Sequence, residues 1–217
     1  MKKITFTLLA CTLFSGAIYA QTPDVKIGFK AGANFAKLTE GNLHTGFHLG
    51  GLAEIYINEK FSIQPELLYS VQGSESSSSA STTAFGITLS GTGDSKLKLS
   101  YINIPIMAKY YVLEGLSIQA GPQVGFLVKA EMDYVGTTTN PHFSDQLEIY
   151  TASTTDVKSQ LNPIDFGLNF GLGYEFIVGM FIDARYNLGI TKVPKESNAR
   201  ANDYKNQVIQ ISLGYKF

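Results

Sequence analysis

Two histidines four residues apart, His44 and His48, are the first side chains here that invite a chemical reading. On a helix that spacing sets both imidazoles beside one ion. On a strand it separates them by roughly 13 Å, too far for shared ligation. The residues around them alternate apolar and polar as a strand does, so no metal site is expected. His48 and Ser70 also admit a second reading, that of a small barrel enzyme modifying lipid A with a His and a Ser near its outer rim. No Gly-x-Ser-x-Gly, HExxH or P-loop motif accompanies them. Nothing in the sequence draws a triad together, and neither a catalytic residue nor a cofactor is expected. The lone Cys11 excludes a disulfide framework and a multi-thiolate metal centre.

The other candidates are charges, and their meaning depends on the elements that carry them. Eight segments alternate apolar with polar residues: 25–35, 47–57, 61–72, 102–111, 116–126, 164–176, 180–189 and 209–217. In one of them Ile164, Phe166, Leu168, Phe170, Leu172 and Tyr174 oppose Asp165, Gly167, Asn169, Gly171 and Gly173. Period two is a strand signal, because successive side chains point to opposite faces. Segments of up to about 13 residues, at ~3.3 Å each and a tilt near 40°, span roughly 30 Å. The polar face repeatedly carries Gly, at 28, 32, 50, 121, 125, 167, 171, 173, 189 and 214. That suits a narrow, crowded interior better than a solvated surface. The short links Asn58-Glu59-Lys60, Leu113-Glu114-Gly115 and Ile177-Val178-Gly179 alternate strictly with long ones at 36–46, 73–96, 130–163 and 191–205. The expected fold is all-β: an eight-stranded antiparallel up-and-down transmembrane barrel, with long loops outside and both termini in the periplasm.

In that register Lys26, Lys30, Lys109, Lys129, Arg185 and Lys216 point inward, with Glu54, Glu66, Asp165, Glu175 and Asp183. Near balance of sign suggests a lumenal charge network that fills the barrel, since eight strands enclose little more than their own side chains. A wide aqueous pore is excluded. A narrow path for small solutes or hydrophobic molecules is the alternative.

Composition agrees. Charged residues are 16% of the 217, Gly numbers 21, Tyr 12 and Phe 14, against roughly 25% charged in soluble domains. A formal net charge of -1 gives no basic footprint for nucleic acid. Lys2 and Lys3 followed by the apolar run Ile4 to Tyr19 read as a signal peptide over residues 1–20, cleaved between Ala20 and Gln21. The barrel domain then occupies 21–217. A membrane anchor would need a longer apolar run. Lipidation at Cys11 would need a more polar segment after it.

Several motifs carry a family likeness: Gly28-Phe29-Lys30-Ala31-Gly32-Ala33-Asn34, Gln64-Pro65-Glu66-Leu67-Leu68-Tyr69, Tyr101-Ile102-Asn103-Ile104-Pro105, Ala120-Gly121-Pro122-Gln123 and Phe181-Ile182-Asp183-Ala184-Arg185-Tyr186. Together with the ending Leu213-Gly214-Tyr215-Lys216-Phe217, they resemble the PorT-like outer-membrane β-barrel family of Bacteroidetes. The resemblance implies an eight-stranded barrel in the outer membrane of such a cell. It carries no secretion or gliding role across, because the shared motifs belong to the barrel.

Tyr69, Tyr110, Tyr174, Phe176, Tyr186, Tyr215 and Phe217 fall toward outward-facing strand ends, where an aromatic girdle meets the headgroups. Tyr215 and Phe217 also look like the terminal signal read by the barrel-assembly machinery, with Ser212 where Gly is often found. Expected partners are therefore outer-membrane phospholipid and lipopolysaccharide, that machinery during biogenesis, and an extracellular or envelope protein met through the loops. The Ser-rich stretch Ser74 to Thr83 reads as a mobile loop. Beyond it, Phe85, Ile87 and Leu89 alternate with Gly86, Thr88 and Ser90, while Met132, Tyr134, Leu147, Ile149 and Tyr150 punctuate the 130–163 connection. These suggest strands continuing above the membrane as a protruding sheet.

Overall fold

Alternating strands leave no stable edge at membrane depth unless the sheet closes on itself, and here it closes. The computed structural model describes residues 24–39, 41–84, 87–140, 147–195 and 204–217. The expected signal segment, with Cys11, Ala20 and Gln21, lies outside the described residues, as do Phe85 and Gly86. The strands are β1 (Val25–Leu38), β2 (His44–Asn58), β3 (Phe61–Ala84), β4 (Ile87–Tyr111), β5 (Leu116–Asn140), β6 (Leu147–Asp156), β7 (Ile164–Glu175), β8 (Met180–Lys192) and β9 (Lys205–Lys216). Eight of them form an antiparallel ring in the order β1-β2-β3-β4-β5-β7-β8-β9. The pairing of β9 with β1, from Gly28 opposite Lys216 to Leu38 opposite Asn206, completes it.

The two faces of the ring separate cleanly. Phe29, Leu67, Phe170 and Leu213 stand outward and are half or more exposed, while Lys30, Asn34, Glu54, Gln64 and Asn169 are buried inside. An outward belt of Phe, Leu and Ile on this scale is tolerated where hydrocarbon covers it. The ladders of β3, β4 and β5 skip residues where Pro65, Pro105 and Pro122 sit, because proline has no N–H to give. Two of the short turns rest on glycine. Gly115 (φ +76) and Gly179 (φ +82) are left-handed, and a Cβ there would stand 2.5 and 2.4 Å from the carbonyls of Glu175 and Lys216.

The structure departs from the sequence reading at three places. Ser74 to Thr83 forms no loop; it continues β3, paired residue by residue with β4 up to Ala84 opposite Ile87. Serine and threonine read as loop formers only while their backbone lacks a partner, and β4 supplies one. β6 is a ninth strand inside the 130–163 connection, paired with β5 from Glu131 opposite Asp156 to Asn140 opposite Leu147. Finally, Ser100 pairs with Lys129 but Tyr101 with Leu127, so Val128 is the extra residue of a β-bulge. The bulge shifts the phase of β5 by one. Lys129 consequently points out of the barrel, its side chain 62% exposed and 2.8 Å from Glu131.

At its outer end the ring is capped. Leu99, Tyr101, Leu127, Ala130, Val157, Leu161 and Val193 form a buried apolar cluster, with Leu38 and Leu97 packed against it. The segment 157–163 between β6 and β7 lays Val157 and Leu161 into it and is held by Val157 N–H to Ala130 O (3.1 Å) and Asn162 N–H to Val193 O (2.9 Å).

Candidate functional site: the barrel interior

The interior is positioned by alternation alone, since every second residue of eight strands must share a space one side chain deep. Its charges gather in two tiers. In the lower tier, Glu54 receives Lys216 Nζ at 2.6 Å, Lys109 Nζ at 3.1 Å and the Tyr111 hydroxyl at 2.7 Å. Glu175 bridges the same Lys216 and takes Lys26 Nζ at 3.1 Å. In the upper tier, Arg185 donates both terminal nitrogens to Glu66 at 2.7 and 2.9 Å, and Lys30 Nζ lies 2.9 Å from the same carboxylate. Asp183 joins through Arg185 Nε at 3.3 Å and Lys30 at 3.7 Å. A forked guanidinium matches a carboxylate better than a point charge does, which is why Arg185 can take both oxygens.

With Lys129 outside, the lumenal set among the described residues is Lys26, Lys30, Lys109, Arg185 and Lys216 against Glu54, Glu66, Asp165, Glu175 and Asp183. The signs cancel. Burying these charges is costly, and mutual attraction with good hydrogen bonds offsets that cost. Asp165 stands apart. Among the described residues it meets no lysine or arginine, and its one side-chain partner is Asn206 Nδ2 at 2.9 Å.

The histidines separate as their strand spacing requires. His44 Nδ1 lies 3.1 Å from Glu75 at the outer rim. His48 stands inside, with Nδ1 2.7 Å from Asn34 Oδ1 and Nε2 2.8 Å from Ser212 Oγ. Its serine partner is thus Ser212 from across the β1–β9 seam, not Ser70, which receives Asn34 Nδ2 at 2.9 Å. Ser212 Oγ in turn donates to Asp183 at 3.1 Å. A serine, a histidine and an asparagine in line have the outline of a hydrolase, but His48 and Ser212 are each 1% exposed. A nucleophile walled in by ion pairs has no substrate to attack, so the trio braces the lumen. No sequence signal could pair His48 with Ser212, since strand closure alone brings them together. Among the described residues no three His, Cys, Asp or Glu side chains converge on a metal site.

Two hollows flank this filled interior. On the side of the short turns a bowl of 680 Å³ opens over Lys26, Tyr56, Lys60, Tyr111, Tyr174 and Glu175. Its floor is the stacked pair Tyr56 and Tyr111, centroids 6.0 Å apart. On the opposite side a polar depression of 590 Å³ lies on the extended β3–β4–β5 sheet, beside Glu75, Asp94, Lys96, Lys98 and Asp133. Lys96 holds Glu75 at 2.9 Å and Lys98 holds Asp133 at 2.7 Å. Lys96 and then His44 keep the Glu75 carboxyl below the usual carboxylate range, and Lys98 and Thr154 do the same for Asp133.

A ring of eight strands, an apolar outer belt, a charge-balanced interior and short turns on one side define a membrane barrel. The outer membrane protein beta-barrel domain family matches residues 19–194, and the chain belongs to it. That membership assigns it to the outer membrane, where lipid covers the outward belt. Solved structures of similar fold include Neisserial surface protein A, 13% identical, covering 91% of this chain and 100% of that one at a TM-score of 0.47. Ail, the attachment invasion locus protein of Yersinia pestis, is 12% identical over 91% and 100% at 0.40. A major outer membrane protein from Thermus thermophilus is 13% identical over 89% and 100% at 0.41. No curated protein sequence matches the chain significantly.

Proposed function

We propose that this is a non-catalytic outer-membrane barrel of the PorT-like kind found in Bacteroidetes, whose work is to hold a sheet outside the cell and present it to a partner. The observation that carries the reading is the extension of β3, β4 and β5, joined by β6, past the ends of their neighbours in the ring. In it β3 from Ser76 to Thr82 and the far side of β6 are open edges among the described residues. Neither 76–82 nor 149–155 carries a charge or a proline that would blunt it. Such edges accept a strand from another protein by β-augmentation. The ion-paired face with its depression adds polar contact area.

Biogenesis follows from the same reading. Residues 1–20 direct export and are removed after Ala20, and the barrel-assembly machinery reads the terminal aromatics. Tyr215 and Phe217 stack along the outward face, centroids 6.4 Å apart, while Lys216 between them is buried. Phospholipid and lipopolysaccharide surround the belt. A narrow conduit is the second reading, favoured by the 680 Å³ bowl that leads into the lumen.

Labelling of intact cells with a membrane-impermeant maleimide tests the leading reading, because the chain after residue 20 has no cysteine of its own. Ser79→Cys on the outer sheet should react and Glu59→Cys on a short turn should not. The reverse pattern would overturn the orientation. Discrete conductance steps of the purified protein in planar bilayers would favour the conduit.

A further inference from the structure

The outer sheet has two open edges, and both belong to the same molecule. Its strands lie in the order β3-β4-β5-β6, each antiparallel to the next. β3 climbs away from the short turns and β6 returns toward them. The membrane holds every copy of the chain upright, so a second copy set beside the first brings its β3 antiparallel to this β6. That is the more stable of the two ways to extend a sheet. Two β3 edges in one membrane both climb, and they cannot pair antiparallel.

The dimensions agree. One circuit of paired residues, from Val25 through Ile63, Ala120 and Tyr186, returns to β1 at Phe35, ten residues above its start. A climb of that size at ~3.3 Å per residue, over eight strands ~4.8 Å apart, sets a tilt of about 40°. Four strands so tilted occupy roughly 25 Å along the membrane. Eight enclose a barrel roughly 16 Å across its backbone, and two walls packed face to face add about 10 Å. The edges of neighbouring sheets therefore meet at the spacing where the barrels beneath them touch.

Tilt also sets the register. Straight across the sheet, Ser81 lines up with Glu148 through Ser90 and Thr139. A level step across four strands slips by half of one circuit's climb, or about five residues. Side chains keep to matching faces only when the slip is even. A slip of six runs β3 past the end of β6 at Asp156, whereas a slip of four keeps it alongside. Ser81 of one copy then faces Ala152 of the next, and 77–82 lies against 151–156. Every residue in that joint is Ser, Thr or Ala except Asp156 at its end. Cross-strand Ser and Thr pairs hydrogen-bond, and no lysine guards either edge.

We propose that the partner of the outer sheet is a second copy of this chain, joined β6 to β3, head to tail. The proposal rests on the reading that the sheet stands outside the cell and accepts a strand there. Because the two edges differ, each joined copy leaves one of each kind free, and copies add until the row closes on itself or runs on.

Cysteine cross-linking on intact cells tests this, since the chain after residue 20 has no cysteine. Ser81→Cys and Ala152→Cys, both at exposed positions, are made in separately tagged full-length chains, expressed together and treated with a short membrane-impermeant bis-maleimide. A product of doubled mass carrying both tags should form from the mixture and from neither variant alone. Ser79→Cys with Thr154→Cys, in the same register, should repeat the result. Ser81→Cys and Ala152→Cys combined in one chain should give a ladder of multimers. Variants that each take up a simple impermeant maleimide but form no mixed product would overturn self-pairing and leave the outer sheet as a site for another protein. Cross-linking of Ser81→Cys to itself as strong as that of the mixture would overturn the head-to-tail joint. Variants closed to the simple maleimide would overturn the outside placement of the sheet, and self-pairing with it.

Discussion

The barrel interior and the outer sheet are built from the same ion pairs, yet the surroundings give them different weight. Inside, Glu66 is fully enclosed and answers to both Lys30 and Arg185. Outside, Lys98 and Asp133 meet at 2.7 Å with side chains 44% and 28% exposed. Water competes for the second pair and not for the first. The shortest contact in a structure is therefore a poor guide to its importance; what must be asked is what remains when one partner leaves.

The largest expected effect comes from that question. Glu66→Gln leaves two buried cations, Lys30 and Arg185, to the single carboxylate of Asp183, and loss of one partner from a buried set costs about 3–5 kcal/mol. Urea unfolding from lipid vesicles should register it. A loss under about 1 kcal/mol would show that water already screens the upper tier. Next comes the outward face. Phe170→Lys puts a charge against hydrocarbon near the middle of β7, at about 2–4 kcal/mol. Tyr150→Lys, on the outer sheet and 68% exposed, should shift stability by no more than about 0.5 kcal/mol. Equal costs at both positions would place the bilayer boundary elsewhere. Smaller again is Lys98→Gln, worth within about 1 kcal/mol because its pair is half in water.

The smallest effect is one of pH. Folding lowers the Glu75 and Asp133 carboxyls. Their contribution is thus complete above the ordinary carboxylate range and fades as pH falls through the lowered folded values. Protection factors at Ser76–Ser79, with the intrinsic exchange rate at each pH divided out, should fall on such acidification while those at Leu67–Tyr69 hold. An equal fall at both would mean that the sheet and the barrel open together.

Much of the ring was readable, because alternation is a local property: Phe166, Leu168 and Phe170 declare their face with no help from distant residues. Features that depend on distant partners were not. The bulge at Val128 leaves no mark in the sequence, so Lys129 reads as lumenal when it is not. Ser74 to Thr83 looks like loop until β4 lies beside it. The bond between His48 and Ser212 exists only because the last strand meets the first. Pro65, Pro105 and Pro122 lie inside segments whose alternation runs on through them, and the ladders that skip there stay within the ring.

Closure has a consequence in time as well as in space. β1 is among the first segments made and β9 the last, and they are neighbours. Until Lys205 to Lys216 arrives, β1 must wait with one row of its N–H and C=O groups unsatisfied, in or beside a lipid phase that cannot satisfy them. Contacts between the two ends of a chain are the slowest to form, because the whole intervening loop must be gathered first. The seam between β1 and β9 should therefore set the rate of insertion, and any factor that shelters the bare side of β1 would act as a catalyst of folding.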